Sequence, residues 1–126
     1  MKRFDLTEKI LTTENPNFIG AWNIENDDLC NEIITWFEKN KELQNQGVTS
    51  GGRVSNHKKR TDISVRPKNL NDFEFKCLNN FIKELHECFK DYNNQWPFLK
   101  GFTKNLDIGA FNIGKYSPGG HFGSIH

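Results

Sequence analysis

The sequence predicts an α+β protein in which two helices pack against a sheet. Segments 27–43 and 71–92 carry apolar residues at helical spacing, and segment 107–116 alternates its side chains with period two. The 126 residues fit one small domain, and eleven Phe with three Trp supply the apolar area for its core. Because the helical segments precede the clearest strand, we expect the helices to cover one face of the sheet.

The first helix is predicted from Asp27 to Leu43, after a short strand over 17–24. Asn26 provides an N-cap, and the acidic residues that follow it suit the positive end of the helix dipole. Cys30 belongs to the apolar stripe of this helix, so we expect a small buried thiol.

The second helix is predicted from Asn71 to Tyr92 and ends before Trp96-Pro97-Phe98. Its stripe comprises Phe75, Leu78, Phe81, Ile82, Leu85 and Phe89. Cys77 and Cys88 lie about three turns apart on one face, which favours two buried thiols. His86 has charged neighbours and is expected at the surface.

The connection 44–60 is predicted to be a loop, because it is rich in Gly, Ser, Asn and Gln. It ends in a basic cluster, 57–60, which is typical of a solvated loop and less often of a phosphate-binding patch. A short strand, 62–66, follows and stops at Pro67.

Composition excludes several classes of function. A formal net charge of +1 gives no general attraction to nucleic acid, and the sequence holds no apolar run long enough to cross a membrane. The first residues lack the apolar core of a signal peptide. Three cysteines without metal-ligand spacing suit a reducing compartment, so we expect a cytoplasmic protein without a membrane partner.

The strand 107–116 presents two different faces. Phe111 and Ile113 form an ordinary packing face, whereas Asn112, Gly114 and Tyr116 combine small and polar residues on the other. The second face suits a strand that lines a ligand cavity. A tyrosine that only packs with its hydroxyl in water is the alternative for Tyr116.

A turn is predicted at Pro118-Gly119-Gly120, with a second short strand beyond it. On that strand His121 and His126 fall on opposite faces, so they are not expected to chelate one ion together.

The run Tyr116-Ser-Pro-Gly-Gly-His-Phe-Gly-Ser-Ile-His126 resembles the start of the metal motif in iron(II)- and 2-oxoglutarate-dependent oxygenases. It looks most like the prolyl 4-hydroxylase-like branch, including variants common in phage and marine microbial sequences. In that family a strand ending in tyrosine is followed by a Gly-containing turn, an aromatic residue and the first histidine of a His-x-Asp/Glu pair. The upstream order is also similar: a short strand, a helix with Cys30 near its start, and an Arg60-Thr61 step.

The resemblance implies a double-stranded β-helix, or jelly roll, whose first strands carry the N-terminal helices. His126 would be the first ligand of Fe(II) in a 2-His-1-carboxylate site. Tyr116 would contact 2-oxoglutarate and Asn112 would line the same pocket, with small Gly114 leaving space for this cofactor. Arg60 would border the substrate entrance. Ascorbate dependence would agree with the family.

The family pattern is incomplete in the 126 residues. The acidic ligand, the distal histidine and the basic residue that pairs with 2-oxoglutarate have no counterpart, and Ile125 stands where phage-type relatives tend to have tryptophan. We therefore expect the N-terminal part of a hydroxylase, inactive alone because one imidazole does not hold Fe(II) in a specific site. A protein side chain, a nucleobase and a small molecule all remain open as the substrate.

Two other classes of function stay open. One is a non-enzymatic binding module that uses the helices and loop 57–60, with partner binding insensitive to iron. The other is a structural jelly-roll-like protein of viral type, in which the terminal segment is only a hairpin.

Overall fold

A three-stranded antiparallel sheet and two helices form the centre of the structure, a computed structural model that describes residues 1–4, 18–47, 59–102 and 105–121. The strands are β1 (Lys2–Arg3), β2 (Trp22–Asn23), β3 (Asn45–Gln46), β4 (Thr61–Val65) and β5 (Phe111–Lys115), and the helices are α1 (Asp27–Lys39) and α2 (Lys76–Gln95). Short 3₁₀ turns cover Lys41–Leu43, Pro67–Asn71, Phe73–Phe75 and Pro97–Gly101. The α+β prediction is confirmed.

The main sheet has the order β3-β4-β5, with β4 in the centre and every pairing antiparallel. Ile63 lies opposite Ile113 and Val65 opposite Phe111, so these side chains share one face. Phe111 and Ile113 pack against the core, whereas Asn112 on the other face is exposed. The two faces predicted for this strand are therefore confirmed.

The core lies between that apolar face and the helices. Ile63, Val65 and Leu78 are 1%, 0% and 1% exposed. Helix α1 adds Leu29 and Phe37 to the same cluster. Since full burial of such a side chain contributes roughly 1.5–3 kcal/mol, this cluster fixes β4 against both helices.

Helix α1 begins as predicted, because the Asn26 Oδ1 atom accepts a hydrogen bond from the Leu29 N–H at 3.0 Å. It ends earlier than predicted, at Lys39, where Asn40 leaves helical backbone angles with φ −93° and ψ 54° and its side-chain amide donates to the carbonyl of Trp36 at 2.7 Å. The residues that follow form a 3₁₀ turn instead.

The expectation of a buried Cys30 is wrong, since this thiol is exposed. The buried face of α1 is centred on Leu29, Trp36 and Phe37. Cys30 lies on the neighbouring side of the helix with Ile34, which is 60% exposed.

Helix α2 holds both predicted buried thiols, Cys77 and Cys88. It ends at Gln95, and Pro97 begins a 3₁₀ turn, as the Trp-Pro-Phe segment predicts. His86 is half-buried, with Nε2 3.1 Å from the carbonyl oxygen of Leu106.

The N-terminal strands contact the last turns of α2. Of the strand predicted over 17–24, only Trp22–Asn23 is extended and paired, with Lys2–Arg3, while residue 17 lies outside the described part. The Trp22 indole N–H donates to Asp91 at 2.8 Å, and the Tyr92 hydroxyl donates to the Phe18 carbonyl at 2.8 Å. Among the described helices, none is long and apolar enough to cross a membrane.

Candidate functional site

The face of the sheet turned away from the core is polar. We define the polar face by Arg60, Asp62, Ser64, Asn112, Gly114 and Tyr116. The register places Asp62 opposite Gly114 and Ser64 opposite Asn112. Because side chains alternate along both strands, the residues of this set lie on the side opposite Ile63 and Val65. Three of the residues singled out from the sequence, Arg60, Asn112 and Tyr116, are thus brought to one surface.

Arg60 and Tyr116 are neighbours although 56 residues separate them in the chain. The Arg60 Nη1 atom lies 3.5 Å from the Tyr116 hydroxyl, and its Cζ atom lies 5.8 Å from the centre of the ring. This is a cation–π arrangement combined with a long hydrogen bond. The residue expected at the substrate entrance and the residue expected at the cofactor are therefore in direct contact.

Asp62 forms an ion pair with Arg60 beneath this contact. The Arg60 Nε atom lies 2.5 Å from the Asp62 Oδ1 atom, and Asp62 is only 6% exposed. Burial by itself lowers the pKa of Arg60, but the contacts with Tyr116 and Asp62 outweigh it and raise that pKa above its ordinary value. Arg60 is consequently a permanent cation with a fixed partner.

Two glycines enclose the Asp62 carboxylate. A Cβ atom on Gly47, which follows β3, would lie 3.0 Å from Asp62 Oδ2 and 2.8 Å from Arg60 Cγ. A Cβ atom on Gly114 would lie 2.9 Å from Asp62 Oδ1 and 3.3 Å from Arg60 Nε. The expectation that Gly114 leaves space for a cofactor is therefore wrong, because the Arg60–Asp62 pair fills that space.

Asn112 has a separate partner on the polar face. The Ser64 hydroxyl donates to the Asn112 Oδ1 atom at 2.8 Å, across the β4–β5 pairing. With its oxygen engaged, the exposed Asn112 amide offers its nitrogen as a donor. The polar face thus presents a guanidinium, a hydroxyl and an amide.

The turn after Tyr116 closes as predicted. The Gly120 N–H donates to the Ser117 carbonyl at 2.7 Å, and Gly119 has φ +80°, the value that a type II turn requires at its third residue. The chain then returns to the start of β4, where the Lys59 N–H donates to the His121 carbonyl at 2.8 Å. His126, the predicted metal ligand, and the strand predicted around it lie outside the described residues.

Within the described ranges, no three His, Cys, Asp or Glu side chains are grouped to hold a metal ion.

Sequence reasoning missed Asp62 and Gly47. Asp62 was assigned to a strand, and the signal for its role was present: Arg60 and Asp62 are two residues apart, so they share a strand face. Gly47 belongs to a segment predicted as loop, and its role depends on the pairing of β3 with β4.

Comparison with protein-family models, curated proteins and solved structures gives no match to this chain.

Proposed function

We propose that this chain provides the N-terminal part of an iron(II)- and 2-oxoglutarate-dependent hydroxylase of the prolyl 4-hydroxylase-like branch. The observation that supports this most strongly is the end of β5, which brings Tyr116 and Asn112 to the same face as Arg60. A tight turn over 117–120 follows, and His126 comes six residues after it in the sequence. This is the order of parts that the sequence motif predicts.

The arrangement of layers agrees with the proposed jelly roll. Helices α1 and α2 pack on the apolar face of the β3-β4-β5 sheet, and the polar face is opposite to them. In a jelly roll formed from such a sheet, the polar face would line the interior, where a ligand binds.

The donor set fits 2-oxoglutarate, which is a dicarboxylate. A tyrosine hydroxyl and an arginine guanidinium both donate hydrogen bonds to carboxylate oxygens, and the amide of Asn112 adds a further donor. In the proposal, Tyr116 and Asn112 hold 2-oxoglutarate and Arg60 lies at the edge of the same pocket.

The proposal assigns one iron ligand, His126, to this chain. The carboxylate and the second histidine would come from residues that the family places after the first histidine. Iron bound there with 2-oxoglutarate would supply the oxidation chemistry with dioxygen as the oxidant: one oxygen atom would enter succinate as 2-oxoglutarate loses carbon dioxide, and the other would form the hydroxyl group of the product. The residues of the polar face would bind and orient the cofactor.

Succinate formation tests the proposal. We expect none from the 126-residue chain with Fe(II), 2-oxoglutarate and ascorbate. We expect iron-dependent succinate formation from a protein extended by the coding sequence that follows His126. In the extended protein, Tyr116→Phe should raise the KM for 2-oxoglutarate about tenfold, since one hydrogen bond to a charged group is lost. The matched control is Tyr92→Phe on helix α2.

Two results would contradict the proposal. One is an extended protein without an acidic residue two positions after His126. The other is partner binding by an extended protein that forms no succinate and is unaffected by a chelator, which would favour the binding module.

A further inference from the structure

Asp62 is a buried charged residue on the polar face, where most of the neighbouring side chains are exposed. Its strand neighbour on the same face, Ser64, is exposed, yet the Asp62 side chain is only 9% exposed beside Arg60. Burial of a carboxylate costs free energy even when it is paired, and an apolar pair of similar volume is often as stable. An ion pair retained at such a position is therefore a candidate for a functional role.

The ion pair with Asp62 places the Arg60 guanidinium beside Tyr116. Gly47 and Gly114 allow the two adjacent backbones to approach the carboxylate, which occupies the volume that two Cβ atoms would need. The Asp62 carboxylate lies beside the Nε atom of Arg60, at 2.5 Å. This leaves the Nη1 atom beside the Tyr116 hydroxyl, at 3.5 Å.

We propose that Asp62 is a positioning residue that holds Arg60 against Tyr116, and that Arg60 and Tyr116 together bind one carboxylate group of a small organic acid. The inference deepens the proposed function and takes the identity of that acid, 2-oxoglutarate, from it. It also assigns Arg60 to the binding of the cofactor, instead of to the substrate entrance.

A carboxylate suits this pair because it has two acceptor oxygens on one carbon. A guanidinium nitrogen and a phenol hydroxyl that lie side by side can each donate to one of them. Asp62 compensates the charge of Arg60, so recognition depends on the placement of the donors more than on long-range attraction. Binding should therefore depend less on salt than binding to exposed lysines.

The test uses the full 126-residue chain without metal. Its two tyrosines, Tyr92 and Tyr116, are labelled with ¹³C at the ring carbon that bears the hydroxyl, and Tyr116→Phe assigns the signals. Titration with 2-oxoglutarate should shift the Tyr116 signal and leave the Tyr92 signal unchanged. Glutarate should act similarly, and the neutral glutaramide should not.

Three variants separate positioning from stability. Asp62→Asn keeps the size of the side chain but removes its charge. Arg60→Lys keeps the positive charge but replaces the planar guanidinium, with its several N–H donors, by a single ammonium group. We expect both to weaken the binding of 2-oxoglutarate about tenfold, the effect of losing a charge-assisted hydrogen bond. Asp72→Asn, on an exposed residue, makes the same change in net charge and should leave the affinity unchanged.

Any of the following results would overturn the inference that Asp62 positions Arg60 for carboxylate binding. Asp62→Asn that lowers the unfolding midpoint but binds 2-oxoglutarate like the parent chain would make Asp62 purely structural. If Asp62→Asn does not fold, the inference is judged by Arg60→Lys. Unchanged binding of 2-oxoglutarate by Arg60→Lys would refute the role of the guanidinium. An unshifted Tyr116 signal, or an equal shift with glutaramide, would refute the carboxylate site itself. The proposed function is judged separately, by the succinate formed by the extended protein.

Discussion

Gly114→Ala should destabilise the sheet although it adds only one methyl group. The new Cβ atom would lie 2.9 Å from Asp62 Oδ1, whereas ordinary van der Waals contact begins at 3.4 Å. A shift of the carboxylate would disturb the ion pair, because Asp62 Oδ1 lies 2.5 Å from the Arg60 Nε atom, and that atom would itself lie 3.3 Å from the new Cβ atom. Overpacking of this kind costs about 1–3 kcal/mol.

Gly109→Ala is the matched control, because no heavy atom of the described residues lies within 4 Å of its added methyl group. It should be neutral or stabilise the protein by about 0.4–1 kcal/mol, since alanine reduces the entropy of the unfolded chain. Urea unfolding followed by circular dichroism measures both variants. A total stability of about 5–15 kcal/mol makes the expected difference easy to resolve.

A double-mutant cycle identifies the cause of the loss. In an Asp62→Ala background the carboxylate is absent, so Gly114→Ala should become nearly neutral. This corresponds to a coupling of about 1–2 kcal/mol between the two positions. If Gly114→Ala is as stable as Gly109→Ala, or if its cost is the same in both backgrounds, the described packing of the carboxylate is wrong.

Four further predictions use the same chain. Ile63→Ala should cost about 2–5 kcal/mol in urea unfolding because this side chain is 1% exposed, and a similar loss from Ile34→Ala, at 60% exposed, would contradict that reasoning. Asn26→Ala should cost about 1 kcal/mol by removing the cap of α1, and an unchanged midpoint would show that the cap is not needed. Iodoacetamide should modify exposed Cys30 before Cys77, since burial raises the pKa of the Cys77 thiol, and mass spectrometry gives the order. That raised pKa also predicts a free energy of unfolding that falls as the pH rises above the ordinary thiol value, because the unfolded chain then releases the proton more readily.

The local patterns in the sequence were sufficient for the main elements. Period two in β5 and the helical stripe of α2 each depend on neighbours a few residues apart, so the pattern predicts them directly. Cys30 was misplaced because the width of the stripe on α1 does not show which edge faces the sheet. Helix α1 is shorter than predicted because Asn40 leaves helical backbone angles and caps the Trp36 carbonyl with its side chain, which apolar periodicity does not indicate.

The candidate site was predicted only in part because it depends on pairing between distant segments. Tyr116 and Asn112 could be assigned to one face from a single strand. The contact of Arg60 with Tyr116 requires the register of β4 against β5, and the enclosure of Asp62 requires β3 as well. Neither register can be read from one segment alone.

The separation between β4 and β5 has a consequence for the order of folding. Helix α2 lies between them in the chain, and the Ser64–Asn112 and Arg60–Tyr116 contacts close loops of 48 and 56 residues. Contacts this distant form slowly, whereas a helix is built from local contacts. We therefore expect α1 and α2 to fold early and β5 to join the sheet late. The polar face, and any ligand affinity it carries, would then appear only in the final stage of folding.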